Sequence, residues 1–65
     1  MNKLKQIRQN NNMSQYQLAE AAGLTHTSIS RYETGKRTLS VENAKKLAVV
    51  LGVEWTCLFE GDADG

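Results

Sequence analysis

The residues best suited to chemistry lie on one edge of a short helix predicted after Gly23. Hydroxyls, an imidazole and a guanidinium share this edge at helical spacing, without an acid: His26, Thr27, Ser30, Arg31 and Thr34. Such groups suit the major groove of DNA, where base edges present acceptors, donors and thymine methyls between two phosphate walls. A solvated helix face is the alternative interpretation, but Glu, Lys and Gln would form a better helix there.

Three side chains on this edge differ in what they can recognise. Arg31 is the one that can contact a guanine bidentately, which is worth about 1–3 kcal/mol of discrimination between bases. Thr27 offers a methyl to thymine and a hydroxyl to either partner. His26 lies in the first turn, where backbone N–H groups favour an anion, so we expect it to contact a phosphate or the N7 atom of guanine.

Two helices joined by a tight turn must position this edge. Ser14 and Gln17 have the spacing of a capping box, which predicts the start of the first of these helices. Gly23 supplies the left-handed residue that ends it, and Leu24 supplies the accompanying apolar contact. Thr25 is the expected N-cap of the second helix.

Apolar spacing is helical along nearly the whole chain, so the predicted fold class is all-α, with five short helices. Besides the two helices above, we predict helices over about 2–10, 41–51 and 54–60. Ser40 is the N-cap of the fourth helix. The inward face of that helix consists of Ala44, Leu47, Ala48 and Leu51.

These helices make one compact domain over residues 1–60, with the helix-turn-helix unit at about 14–34. A chain of 65 residues buries too little surface to be more than marginally stable, so it often depends on a partner. Residues 61–65 are expected to form a frayed acidic tail.

Charge is divided unevenly along the chain. Residues 1–46 contain all eight lysines and arginines and three acids, a formal charge of +5, whereas residues 47–65 contain four acids and no base, a charge of −4. A basic segment of this kind favours approach to a polyanion. Small proteins also show such divisions by chance, so the charge is secondary support.

Composition argues against several other classes of protein. The N-terminus lacks the apolar run of a signal peptide, and no apolar stretch approaches the roughly 20 residues of a membrane span. Cys57 is the only cysteine, which favours a reducing compartment. We therefore expect a cytoplasmic protein. Since the sequence lacks a carboxylate pair, a metal-ligand spacing and a phosphate loop, we expect no enzyme activity, metal, cofactor or small-molecule ligand.

In these features the sequence resembles the phage-repressor and Cro-type helix-turn-helix proteins of bacteria and their viruses. The resemblance covers about residues 3–60. It rests on the ordered set Ile7-Arg8, Ser14-Gln15-x-x-Leu18-Ala19, Gly23-Leu24-Thr25, Ser28-Ile29-Ser30, Glu33-x-Gly35-Lys36-Arg37, Leu47-Ala48, Leu51-Gly52-Val53 and Leu58-Phe59. Such proteins place the second helix of the unit in the major groove, and their dimers bind half-sites about one turn apart.

The resemblance implies a sequence-specific transcriptional regulator of double-stranded DNA, by default a repressor acting as a homodimer on a palindromic operator. It places base contacts on the outer edge described above. Gln15 is expected beside a phosphate, where it also braces the recognition helix. The residues expected to hold the DNA backbone are Gln15, Thr25, Lys36 and Arg37.

Glu33 is expected to point inward, because it shares a helix face with Ile29 and Tyr32. A buried carboxylate needs a partner. Arg8 lies on the inner edge of the first helix, and the resemblance pairs the same two positions as an ion pair. We therefore expect Arg8 and Glu33 to connect the recognition helix to the first helix.

The resemblance also implies where two copies would meet. Its nearest relatives use the loop after the third helix and the fifth helix. Leu39 replaces the proline that many relatives carry in this loop, and Glu54 replaces the Ser or Thr with which their fifth helix often starts. Trp55 is expected to lie partly outside the core, which usually marks an interface, although it could simply cover the core edge. The expected dimer contacts are Leu39, Trp55 and Cys57.

A different use of the same fold is the main alternative function. The domain could be an antitoxin-like or controller-type regulator whose main partner is another protein. A pure protein-interaction module would instead require an apolar patch on the third helix.

Overall fold

The computed structural model describes residues 2–59, and in this range the fold is all-α. Four α-helices are followed by one 3-10 helix: α1 Leu4–Asn10, α2 Gln15–Ala22, α3 His26–Thr34, α4 Val41–Leu51 and the 3-10 helix Trp55–Phe59. The predicted fold class is confirmed, but the prediction of five α-helices is wrong by one. The expected tail, residues 61–65, lies outside the described range.

The last helix is a 3-10 helix, as its backbone hydrogen bond shows. The amide of Cys57 donates to the carbonyl of Glu54 at 2.9 Å, which is the three-residue spacing of a 3-10 turn. Runs of this type longer than about three or four residues are uncommon because their hydrogen-bond geometry is poorer. The predicted helix over 54–60 therefore begins one residue later, at Trp55, and is more tightly wound than expected, while residue 60 lies outside the described range.

Side chains cap the starts of the three central helices as the sequence predicts. Ser14 Oγ accepts from the Gln17 amide at 3.0 Å, and Gln17 Oε1 accepts from the Ser14 amide at 2.8 Å. Thr25 caps α3 and Ser40 caps α4, each accepting from the amide three residues on. Each cap satisfies a backbone donor that the helix itself leaves unpaired.

The first helix starts later than predicted. Asn2 lies outside α1, and its Oδ1 accepts from the Leu4 amide at 3.0 Å. The same side chain donates from Nδ2 to the Tyr32 carbonyl at 3.1 Å. The polar side chain at the start of the chain thus both begins α1 and connects it to α3.

Two glycines end α2 and α4 in the left-handed conformation. Gly23 and Gly52 both have φ of 72°. The next residues, Leu24 and Val53, donate their amides back to Ala19 and Ala48 at 2.8 and 3.1 Å. This is the predicted glycine-plus-apolar ending, in which two otherwise unpaired carbonyls are satisfied.

One core joins all five helices. Its buried apolar members are Leu4, Leu18, Ala19, Ile29, Tyr32, Leu39, Ala44, Leu47, Ala48, Leu51 and Leu58. α3 packs mainly on α2 and α1, whereas the 3-10 helix packs on α4 and α1. None of the helices in residues 2–59 combines the length and apolar character needed to cross a bilayer.

The position of Leu39 requires a correction. The sequence predicts it at a dimer interface, but its side chain is only 4% exposed and belongs to the core. Burial of its apolar surface stabilises the connection between α3 and α4. Leu39 therefore has almost no surface to offer a second copy of the chain.

Candidate nucleic-acid interface

The outer edge of α3 opens onto a shallow groove of about 220 Å³. It is lined by all five residues predicted on that edge and by one residue of the following loop: His26, Thr27, Ser30, Arg31, Thr34 and Lys36. We refer to this surface as the α3 groove. His26 and Ser30 are half-buried, and the other four residues are exposed.

The opposite face of α3 fixes which way this edge points. Ile29 and Tyr32 are at most 1% exposed, and Glu33 is 4% exposed. The hydroxyl of Tyr32 accepts a hydrogen bond from Asn43 Nδ2 at 2.7 Å. α3 is therefore joined to α4 by a polar contact.

An ion pair lies directly behind α3. Arg8 Nε donates to Glu33 Oε2 at 2.6 Å, and Arg8 Nη2 donates to Oε1 at 3.1 Å. Arg8 Nη1 also donates to the Met13 carbonyl at 2.7 Å. This bidentate pair joins α1 to α3, and the bond to Met13 fixes the segment that leads into α2. Both charges are buried and hydrogen-bonded, as such pairs require.

Gln15 connects the ion pair to the α3 groove. Its Nε2 donates to Glu33 Oε1 at 2.9 Å, and its Oε1 lies 2.9 Å from His26 Nε2. Both ends of the amide thus contact α3. The predicted bracing contact is consequently visible as two hydrogen bonds.

Tyr16 is a residue of this region that sequence reasoning missed. Its ring stacks on the imidazole of His26, with 3.9 Å between centroids and an interplanar angle of 4°. The Tyr16 side chain is nevertheless 68% exposed. The sequence feature that could have identified it is an aromatic residue next to Gln15 at the start of α2, on a helix face that does not contribute to the core.

The hydroxyl of Thr25 has a structural task of its own. It accepts from the Ser28 amide at 3.1 Å and donates to Ser28 Oγ at 2.9 Å. Arg37 lies next to this cap, with Nη1 3.4 Å from Ser28 Oγ, and its guanidinium lies 5.5 Å from the centre of the Tyr32 ring. The structure thus places Thr25 and Arg37 beside the first turn of α3.

The remaining residues on the outer edge of α3 differ in whether their hydrogen-bonding groups are already used within the protein. Thr34 Oγ1 donates to the Ser30 carbonyl at 3.0 Å, so its donor is used within the helix. Within residues 2–59, the side chains of Thr27 and Arg31 make no hydrogen bond. Their donors and acceptors face the α3 groove.

A second surface lies on α4 and the 3-10 helix. A shallow apolar pocket of about 340 Å³ is lined by Lys45, Ala48, Val49, Val53, Glu54 and Trp55, and we call this surface the Trp55 patch. Trp55 is half-buried and meets Phe59 edge-on at 6.0 Å. Val49 is 83% exposed, and Cys57 is half-buried.

Comparison with known protein families places this geometry in context. A family model described as Helix-turn-helix matches residues 4–56, which includes α1 to α4 and the first two residues of the 3-10 helix. No curated protein matches the chain. The chain belongs to the Cro/C1-type helix-turn-helix family of DNA-binding transcriptional regulators.

Proposed function

We propose that this protein is a repressor that binds a palindromic operator as a homodimer, with the α3 groove facing the major groove. The observation that carries the proposal is the outer edge of α3, which presents hydrogen-bonding groups and no acid. The buried pair Arg8–Glu33 holds this edge from behind. A surface of this kind meets the donors, acceptors and thymine methyls of base edges.

The diameter of an α-helix such as α3 suits insertion into the groove. With its side chains, a helix is about 10–12 Å across, comparable to a major groove about 12 Å wide. Arg31 is the proposed guanine contact, and Thr27 the proposed thymine contact. The full proposed set of base-contacting residues is His26, Thr27, Ser30, Arg31 and Thr34.

The proposed backbone contacts flank α3. Lys36 supplies positive charge just after its C-terminus, whereas the guanidinium of Arg37 and the N-cap Thr25 lie beside its first turn. Gln15 uses one amide hydrogen for Glu33, which leaves the second amide hydrogen for a phosphate. Contacts of this kind set the register of the protein on the duplex without reading sequence.

The proposed dimer contact is the Trp55 patch. Half-buried Trp residues with apolar neighbours are typical centres of interfaces. The patch also carries both signs of charge, since Lys45 and Glu54 line the same pocket. Any contact across a two-fold axis occurs twice, so a contact between Lys45 of one copy and Glu54 of the other would give two ion pairs. Trp55 and Cys57 remain the proposed contacts of this interface.

Repression follows from occupancy of the DNA. A dimer bound to a promoter covers the DNA and so blocks access to the promoter. This needs only a DNA-binding surface, the α3 groove, and a dimer contact, the Trp55 patch. Pairing two modest DNA surfaces raises the affinity for an operator with two matched half-sites.

Selection from a random pool of duplexes, followed by sequencing, tests the proposal. We expect the retained duplexes to carry inverted half-sites about ten base pairs apart. Arg31→Ala should relax one guanine position in each half-site. Retention that is weak, unselective and abolished by salt would contradict the proposal, and would favour a regulator whose main partner is another protein.

A further inference from the structure

A directed chain of hydrogen bonds runs from the buried ion pair to the α3 groove. Arg8 is a cation and donates twice to Glu33, which is therefore a carboxylate and can only accept. The atom of Gln15 that lies 2.9 Å from Glu33 must then be the amide nitrogen. Its carbonyl oxygen is consequently the atom that faces His26.

This direction decides which nitrogen of His26 carries hydrogen. The Gln15 carbonyl oxygen is an acceptor and lies 2.9 Å from His26 Nε2, so Nε2 must be the donor. In a neutral imidazole the other nitrogen is then an acceptor. Tyr16, stacked on the ring at 3.9 Å, restrains the plane of the ring.

The second nitrogen of the ring is the one left for a ligand. Nδ1 of His26 has no hydrogen-bond partner within residues 2–59, and His26 lines the α3 groove. In the major groove, the hydrogen-bond donors on base edges are the exocyclic amino groups, N6 of adenine and N4 of cytosine.

We infer that His26 is a specificity-determining residue that accepts a hydrogen bond from the amino group of adenine or cytosine through Nδ1. The inference rests on the proposed function, since it requires α3 to lie in the major groove. It differs from the guanine N7 or phosphate contact that the sequence suggests, because the donor nitrogen Nε2 is already occupied by Gln15.

The tautomer can be measured without DNA. His26 is the only histidine in the chain, so long-range ¹H–¹⁵N spectra of labelled protein at about pH 8, where ordinary imidazoles are neutral, report this ring alone. We expect hydrogen on Nε2 in the wild type. Gln15→Leu should give a mixture of tautomers, and Gln6→Leu, an exposed change on α1, should leave the spectrum unchanged.

Two results of this measurement would overturn the inference. Hydrogen on Nδ1 in the wild type would show that the direction of the chain is wrong. The same tautomer ratio in wild type and folded Gln15→Leu would show that Gln15 does not fix it. The wild-type spectrum decides the first point even if Gln15→Leu folds poorly.

Operator analogues test the base contact. The contacted base pair is the one whose selection is lost in His26→Ala. Replacing its adenine by purine, or its cytosine by pyrimidin-2-one, removes only the amino group and should weaken wild-type binding roughly tenfold. The same analogue should not weaken binding by His26→Ala.

A second analogue removes a base atom that the inference says His26 does not contact. Replacing N7 of the purine in that pair by carbon should leave wild-type affinity unchanged. Loss of affinity with this analogue, but not with the amino deletion, would mean that His26 donates and would overturn the inference, as would a selection unchanged by His26→Ala. If the wild type selects no sequence at all, the proposed function fails, while the tautomer result stands separately.

Discussion

The α3 groove and the Trp55 patch are held in place by different forces. Behind the groove, a chain of hydrogen bonds between 2.6 and 3.1 Å long runs from Arg8 through Glu33 and Gln15 to His26. Beneath the patch, Trp55 rests on apolar neighbours, among them Phe59. Hydrogen bonds are directional, so the first arrangement fixes the positions of individual donor and acceptor atoms. Apolar packing is not, so the second arrangement depends mainly on how much apolar surface is buried.

This difference matches what each surface must do in the proposed function. Reading a base edge depends on donor and acceptor positions within a few tenths of an ångström, because hydrogen bonds weaken steeply when distance or angle departs from the optimum. Burial of apolar surface is non-directional, so an association surface tolerates repacking. The following changes are expected to separate the two regions, from the largest effect to the smallest.

Removal of the charge behind the α3 groove should have the largest effect. Glu33→Gln keeps the size of the side chain but strands the buried charge of Arg8, so we expect the free energy of unfolding to fall by about 3–5 kcal/mol. Urea unfolding measures the loss. Glu20→Gln, on the exposed side of α2, is the control and should change stability by less than about 0.5 kcal/mol. A loss below about 1 kcal/mol in Glu33→Gln would contradict the anchoring role.

Arg31→Lys tests the reading surface without disturbing the fold. Lys retains the positive charge but lacks the planar fork that contacts guanine bidentately. We expect discrimination at one guanine position to fall by about 1–3 kcal/mol, with the salt dependence of binding nearly unchanged. Titrations against matched and mismatched duplexes measure both quantities. An unchanged preference for guanine would remove Arg31 from the base-reading set.

Val49→Glu tests the Trp55 patch. Val49 is 83% exposed, so the change costs the monomer little, but it places two like charges across a two-fold interface. We expect the dimer dissociation constant to rise roughly tenfold or more, as measured by sedimentation equilibrium. Gln6→Glu, on the exposed side of α1, is the control. Equal dissociation constants for the two variants would place the interface elsewhere.

The two glycine turns are expected to give the smallest effects, and they form the most closely matched pair of variants. Gly23→Ala and Gly52→Ala each place a β-carbon on a residue with φ of 72°, and, apart from the adjacent residues in the chain, nothing lies within 4 Å of either β-carbon. Each should lower the free energy of unfolding by about 1 kcal/mol through backbone strain alone. Only Gly23→Ala should also weaken DNA binding, because that turn sets α3 against α2. Equal binding by both variants would mean that the turn tolerates the strain without moving α3.

Much of the fold could be predicted because the signals that start and end its helices are local. Ser14, Thr25 and Ser40 cap helices through bonds that span three residues, and Gly23 and Gly52 end them through a single backbone conformation. Such features need no knowledge of distant parts of the chain. The 3-10 form of the last helix could not be predicted, because a five-residue segment takes its conformation from what it packs against.

The candidate site was partly predictable for the same reason. Helical spacing places the five residues of the outer edge on one side of α3, and the family match over residues 4–56 agrees with the helix-turn-helix assignment. The stacking of Tyr16 on His26 could not be predicted, since the two residues lie on different helices. The burial of Leu39 depends likewise on the packing of helices that the loop only connects.

The sequence by itself determined the helix starts and ends, the inward faces and the polar edge of α3, because these depend on residues three or four positions apart. The tertiary structure alone decided what lies behind that edge. It set the direction of the chain from Arg8 to His26, and with it the ring nitrogen that remains for a ligand. Hydrogen-bond direction depends on which atoms meet across helices, and residues as far apart as 8 and 33 meet only once the helices have packed.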